Sequence, residues 1–279
     1  MPARLLQRKS KAHKGEFGNI LILAGSAAYS GAGVLSAAAA MRSGAGLVTL
    51  GIPEGLNNAV IKIKPKEVMT LSLPQTKDGS LSSGGYKRIR DFIKNIDVLA
   101  IGPGLGPQKS TQSLIRKLIS AVDKPMVIDA DGLNALVGHL DLLKSTMILT
   151  PHAGEMSRLT DISTKIIQGK RKEIAKKFSH DHKVTLVLKG HNTIVADHRG
   201  GYYLNKTGNP GMATGGSGDV LTGMIAAFLG QGLGVFEAAK YAVYLHGVAG
   251  DLAARKKTEI SLIASDIIDE IPQAIKKSS

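Results

Sequence analysis

Short apolar runs alternate with stretches in which apolar positions recur at helical spacing, and the alternation persists along almost the whole chain. Residues 19–24 read as a strand, followed by a small-residue helix over 33–43. Further strands are expected at 47–52, 98–102, 125–129, 147–150 and 184–189, with helices between them at 86–95, 111–122 and 170–180. Such a pattern predicts a mostly parallel sheet covered by helices on both faces. The tail departs from it. Ile194–Ala196 and 201–205 look like antiparallel edge strands, and 219–230, 235–255 and Ala264–Lys277 look helical. With no long Pro/Ser linker, low-complexity tract or internal repeat, residues 1–279 read as one domain.

Composition narrows the class. The 279 residues are 43% hydrophobic with 33 glycines, which suits an α/β globule with a large core. The absence of cysteine removes disulfides, thiolate-bound zinc and thiol nucleophiles together, and fits a cytoplasmic protein. Residues 1–12 read as a basic leader without the apolar run of a secretory signal, and no segment has the roughly 18 apolar residues of a membrane span. A net charge of +14 permits nucleic acid, an anionic surface or small phosphorylated ligands as partners. The cations are dispersed, aromatics make up 4% and Trp is absent, so base-stacking platforms have little material and nucleic acid is not expected.

The most specific string is Asn209-Pro210-Gly211-Met212-Ala213-Thr214-Gly215-Gly216-Ser217-Gly218-Asp219, running on to Gly223. Val220, Leu221, Met224, Ile225 and Phe228 recur at helical spacing, which places a helix start at or near Asp219. Glycines before a helix let backbone amides approach a phosphate at the positive end of the dipole. Asp219 is then either a cap for the helix or a carboxylate poised beside whatever the phosphate moves to or from.

Ligands of open α/β sheets bind outside the carboxyl ends of strands, and those ends are rich in polar and glycine residues. Gly102-Pro103-Gly104-Leu105-Gly106 is either an ordinary turn or a floor against a flat ligand. His152 and Glu155 precede a helical stretch and read as substrate contacts or as a first-turn helix pair. Asp129 and Asp131 suit magnesium, which uses few carboxylates plus phosphates, or a structural turn at Asp131-Gly132. No carboxylate or His cluster has the spacing of a tight metal site. Lys189, Gly190, His191, Asn192 and Thr193 form a hairpin turn or a clasp for an adenosine phosphate. A Walker A motif and a Gly-x-Gly-x-x-Gly after the first strand are both absent.

Taken in chain order, these segments resemble the NAD(P)H-hydrate dehydratase family of the ribokinase-like superfamily. The match includes His13-Lys14-Gly15, Gly25-Ser26, Ser30-Gly31-Ala32-Gly33 and Met41-Arg42-Ser43-Gly44-Ala45-Gly46. It continues through 102–106, 129–133, 149–155, 189–193 and 209–223 to Tyr244-Leu245-His246-Gly247, Ala264-Ser265-Asp266 and Ile271-Pro272. The resemblance implies a three-layer α/β/α fold and an enzyme that repairs the S form of NADHX or NADPHX. ADP would be the phosphoryl donor (ATP in eukaryotic members), magnesium would assist, and AMP and phosphate would be released. By the same resemblance Asp219 is the general base near the substrate hydroxyl, and Ala40, Gly104 and His152 touch the hydrated cofactor. Lys189 to Thr193 and Gly218 contact the nucleotide, Gly215, Gly216, Ser217 and Gly218 cradle phosphate, and Asn209, Glu155 and Asp131 support the site. It also implies a homo-oligomer, often a tetramer, and, in the absence of a fused epimerase domain, a separate NAD(P)HX epimerase. Two other readings remain: a ribokinase-like kinase of a sugar or vitamin precursor, and a basic, non-catalytic nucleotide- or nucleic-acid-binding protein.

Overall fold

Asn19-Ile20-Leu21-Ile22-Leu23 forms the central strand β1 (Asn19–Leu23), and its four apolar residues are fully buried. Alternate residues of a strand point to opposite faces, so Ile20 and Ile22 enter one core and Leu21 and Leu23 the other. That explains why the run carries no polar positions. The structure, a computed structural model, describes residues 10–278, so most of the basic leader expected over 1–12 lies outside the described residues.

Eight further strands complete the sheet: β2 (Leu47–Pro53), β3 (Met69–Leu73), β4 (Val98–Ile101), β5 (Met126–Ile128), β6 (Met147–Leu149), β7 (Thr185–Leu188), β8 (Ile194–Ala196) and β9 (Tyr202–Leu204). Their order is β3-β2-β1-β4-β5-β6-β7-β8-β9. Pairing from β3 to β7 is parallel, with Ile22 opposite Leu50 on one side and Ala100 on the other, and β8 and β9 are antiparallel as expected.

The helices are α1 (Ser30–Arg42), α2 (Asn57–Ile63), α3 (Tyr86–Ile93), α4 (Lys109–Ala121), α5 (Asp131–Asn134), α6 (Ala153–Thr160), α7 (Thr164–Gly169), α8 (Arg171–His182), α9 (Ser217–Gly230), α10 (Val235–Lys257) and α11 (Ala264–Lys277). One layer, α1, α2 and α9 to α11, packs on the face bearing Ile20 and Ile22. The other, α3 to α8, packs on the face bearing Leu21 and Leu23. The result is a three-layer α/β/α sandwich. Among the described residues no helix is long and apolar enough to cross a membrane.

Four elements escaped the sequence pattern, one of them the single-turn helix α5, where only a turn was expected. Strand β3 is an edge strand whose Met-Thr-Leu-Ser-Leu alternates instead of running apolar, because only Leu71 and Leu73 are buried. Helices α2 and α7 are too short to repeat an apolar period, with one buried residue each, Val60 and Ile167.

Candidate active site

Strands β2 and β3 lie to one side of β1 and β4 to β7 to the other, so the direction of winding reverses between β1 and β4. In open sheets that reversal opens a crevice at the carboxyl ends. Backbone contacts shape it here: the Gly25 amide donates to the Pro103 carbonyl at 2.8 Å, and the Ala27 amide to Gly79 at 3.0 Å. The Gly106 amide donates to Asp131 Oδ2 at 2.8 Å.

Helix α9 begins at the same edge of the sheet, with Ser217 as its first residue, two before Asp219. The cap is Gly216, in the left-handed region at φ 88°, where a side chain would run into Leu35 of α1. Without a capping side chain, the Gly218 and Asp219 amides have no intrahelical acceptor. They face a region of positive dipole, a ready anion site. Asp219 is third in the helix and therefore not its cap. Its carboxyl is half-buried, and burial, reinforced by the nearby Asp129 charge and only partly offset by Lys189, pushes its pKa up to about 7.

Beneath the helix start lies a charged cluster. Lys189 Nζ is 2.7 Å from Asp129 Oδ1 and 3.8 Å from Glu155 Oε2, with its side chain 19% exposed. Burial alone would lower the ammonium pKa, but Asp129, Glu155 and Asp219 together hold it above the ordinary value. A Cβ on Gly218 would stand 3.3 Å from that ammonium, so the cation lies directly against the first turn of α9. The second Asp129 oxygen accepts the Thr222 hydroxyl at 2.8 Å. Thus β5, β7 and α9 are tied through one buried carboxylate.

The structure brings Gly215, Gly216, Ser217, Gly218, Asp219, Lys189 and Glu155 together. His152 caps α6: its Nδ1 accepts the Gly154 and Glu155 amides at 3.0 and 3.2 Å, and Glu155 Oε2 accepts the His152 amide at 2.8 Å. In Lys189–Thr193 the Thr193 hydroxyl donates to the Gly190 carbonyl at 2.9 Å, while Gly190, His191 and Asn192 are exposed. Asn209 stabilises its own turn, accepting the Gly211 amide and donating to Asp251 of α10, both at 3.0 Å. Gly104 sits in the crevice, its backbone against Tyr29 and Ala32.

Other expected members stand elsewhere. Ala40 is fully buried in the last turn of α1, beyond the point where Gly223, two turns into α9, passes the Ser36 carbonyl and Ala39. Its side chain contributes to the core rather than the crevice. Asp131 is a loop clamp, with one oxygen on the Gly106 amide and the other accepting Asn134 Nδ2 at 3.1 Å. Asp129 and Asp131 thus turn to different partners, Asp129 to Lys189 and Thr222 and Asp131 to Gly106 and Asn134. Among the described residues no group of three or more His, Asp or Glu side chains is placed to hold a metal.

Thr222, His246 and Arg171 were given no individual role in the sequence, although Thr222 and His246 fall within the matched segments 209–223 and 244–247. Buried His246 places Nε2 3.4 Å from Ser217 Oγ, and burial drives its pKa down to about 4, so the ring is neutral. Arg171 donates to the Leu188 and Lys189 carbonyls at 2.9 and 3.2 Å, fixing the end of β7. In the sequence it was one of three consecutive cations. Only the periodicity of α9, which puts Thr222 one turn beyond Asp219, carried a usable signal.

Residues 20–273 match the family described as NAD(P)H-hydrate dehydratase. The chain is 43% identical over 277 residues to a bifunctional NAD(P)H-hydrate repair enzyme of Moorella thermoacetica, covering 98% of this chain and 52% of that protein. The chain spans about half the length of this and several other curated relatives. An ADP-dependent (S)-NAD(P)H-hydrate dehydratase of Bacillus subtilis is 34% identical over 277 residues, covering 99% of this chain and 95% of the relative. Among solved structures, an ADP/ATP-dependent NAD(P)H-hydrate dehydratase of Bacillus subtilis, co-crystallised with ATP and Mg²⁺, superposes with a TM-score of 0.83 at 32% identity, covering 98% of this chain and 94% of that one. A ribokinase-like superfamily protein of Enterococcus faecalis gives 0.85 at 28% identity, covering 98% and 92%.

Proposed function

The chain belongs to the NAD(P)H-hydrate dehydratase family, with a ribokinase-like fold, and from that premise we propose that it is an ADP-dependent (S)-NAD(P)H-hydrate dehydratase. The observation that carries the reading is the pairing of uncapped α9 amides with an Asp219 carboxyl whose pKa is raised to about 7. An anion site and a base titrating near neutrality, in the same helical turn, are what phosphoryl transfer to a hydroxyl needs.

Hydroxide is a poor leaving group and phosphate a good one. Asp219 takes the proton of the substrate's ring hydroxyl as its oxygen attacks the β-phosphorus of ADP, and the bond to AMP breaks. The ring nitrogen's electrons then expel phosphate to leave an iminium, and loss of a proton from the adjacent ring carbon to the departing phosphate or to water restores the dihydropyridine of NADH or NADPH. The Gly215 to Gly218 backbone receives the charge growing on the transferring group, and one such donor can be worth ~3 kcal/mol. Lys189 adds a fixed positive charge at the same turn, held in place by Asp129 and Glu155. Gly104 and His152 contact the hydrated cofactor, and residues 189–193 contact the nucleotide. Magnesium, where bound, would be held largely by nucleotide oxygens and water and would screen phosphate charge. We further propose a cytoplasmic homo-oligomer, a tetramer, supplied with the S form by an NAD(P)HX epimerase.

The test follows NADHX at the nicotinamide absorbance with ADP or ATP, with magnesium omitted in one arm. The expected result is recovery of NADH with ADP, matched by AMP and phosphate. Accumulation of a stable phosphorylated product without NADH would overturn the reading in favour of a small-molecule kinase.

A further inference from the structure

Aromatic residues are scarce: six tyrosines, five phenylalanines and no tryptophan. All lie within the described residues, and ten of the eleven are buried or half-buried. Tyr29 is the exception, 58% exposed. Leaving a ring of that size in water forgoes the gain that usually places it in a core.

Its position is specific. Tyr29 closes the turn after β1 and is the residue from which α1 departs, at the lip of the crevice between β1 and β4. The root of the side chain is fixed. Its amide donates to the Ser26 carbonyl at 3.0 Å, its carbonyl accepts the Ala32 amide at 3.3 Å, and its side chain makes no capping hydrogen bond. Gly104 lies so close that a Cβ there would stand 2.7 Å from Tyr29 Cβ and 3.1 Å from its carbonyl oxygen. At φ 62° Gly104 also holds a backbone conformation that favours glycine. The base of the tyrosine is therefore clamped beside the Gly104 turn while most of its side chain is left to solvent.

A rigidly rooted aromatic with few rotatable bonds is an economical stacking surface. Flat heterocycles stack on such rings without needing a hydrogen-bond pattern. We propose that Tyr29 is a substrate-binding residue, stacking on one heterocycle of the hydrated dinucleotide while the reacting hydroxyl lies at Asp219. The assignment rests on the dehydratase reading and names a contact that reading does not contain. The nucleotide donor is held on the opposite side, at residues 189–193, so its affinity is independent of Tyr29.

The experiment compares wild type, Tyr29→Leu and Tyr29→Phe in steady-state repair of NADHX with ADP. Tyr29→Leu is expected to raise the KM for NADHX on the order of tenfold, with kcat and the KM for ADP within about twofold of wild type. Tyr29→Phe retains the ring and restores the wild-type KM, a rescue that loss of a merely structural side chain does not show. Because the ring is exposed, all three proteins are expected to melt at the same temperature. A third arm uses the hydrate of reduced nicotinamide mononucleotide: a persisting penalty in Tyr29→Leu assigns the nicotinamide ring, and its disappearance assigns the adenine. A wild type that repairs NADHX while both variants keep its KM overturns the Tyr29 assignment alone, as does a rise confined to the KM for ADP. A wild type that leaves NADHX untouched overturns the dehydratase reading and this contact with it.

Discussion

Helices α6 and α9 begin at the same edge of the sheet, and each carries glycine second and a carboxylate third. Around them the local chemistry diverges. In α6 the cap is His152, whose ring accepts two amides while Glu155 returns a bond to the His152 amide, closing the first turn on itself. In α9 the cap is Gly216, and no capping box forms. Glu155 is spent within its own helix and on Lys189, whereas Asp219 is left half-buried with its charge disfavoured. A helix start becomes a reactive site when its cap lacks a side chain and its third residue has nothing local to bind.

The contrast is most easily broken at Asp219. Asp219→Asn should lower kcat for NADHX repair by about 10³-fold while leaving ADP binding, measured by calorimetry, largely intact. In the wild type the base must be ionised, so kcat should rise with pH, reach half its plateau near pH 7 and fall below that. The same shift has a sign for stability. A carboxyl whose folded pKa lies above its unfolded value stabilises at low pH and loses that contribution as pH rises through about 7. The melting temperature of Asp219→Asn should therefore gain on wild type between pH 4 and pH 8.

Next in size is Lys189→Met, which strands the buried Asp129 and Glu155 carboxylates without their cation. Unfolding in urea should show a loss of ~3 kcal/mol or more. Gly216→Ala tests the uncapped start directly, because it combines left-handed strain with a collision at Leu35. A loss of about 2 kcal/mol is expected, with a raised KM for ADP. Smallest is His152→Ala, which should cost ~1 kcal/mol as an ordinary cap and leave the KM for ADP unchanged. If His152→Ala outweighed Gly216→Ala in its effect on ADP, the two helix starts would have been assigned the wrong way round.

Much of this was legible in the amino-acid sequence, for reasons that can be traced residue by residue. Strands such as Asn19–Leu23 declare themselves because burial on both faces removes every polar position, and the order of glycine-rich turns after them locates the crevice. The α9 loop declares itself because close backbone approach excludes side chains at Gly216. What stayed hidden depends on direction. Asp129 and Asp131, two apart, look equivalent on paper, but one turns to Lys189 and Thr222 and the other to Gly106. Nothing in a linear string distinguishes them. His246, more than two dozen residues beyond Ser217, meets it only because α10 packs across α9. Ala40, expected from the resemblance to touch the hydrated cofactor, has its side chain fully buried in the last turn of α1, which no linear pattern shows.

Strand β1 serves both helical layers at once, through Ile20 and Ile22 on one side and Leu21 and Leu23 on the other. Neither layer can detach without exposing residues that the other also needs, so the two cores are bound to melt together. Amide hydrogens along β1 should consequently exchange with solvent only through whole-molecule opening, and be among the slowest in the protein. The crevice begins where that strand ends. Its working geometry is thus anchored to the part of the molecule that yields last, while residues 27–31 at its rim are exposed.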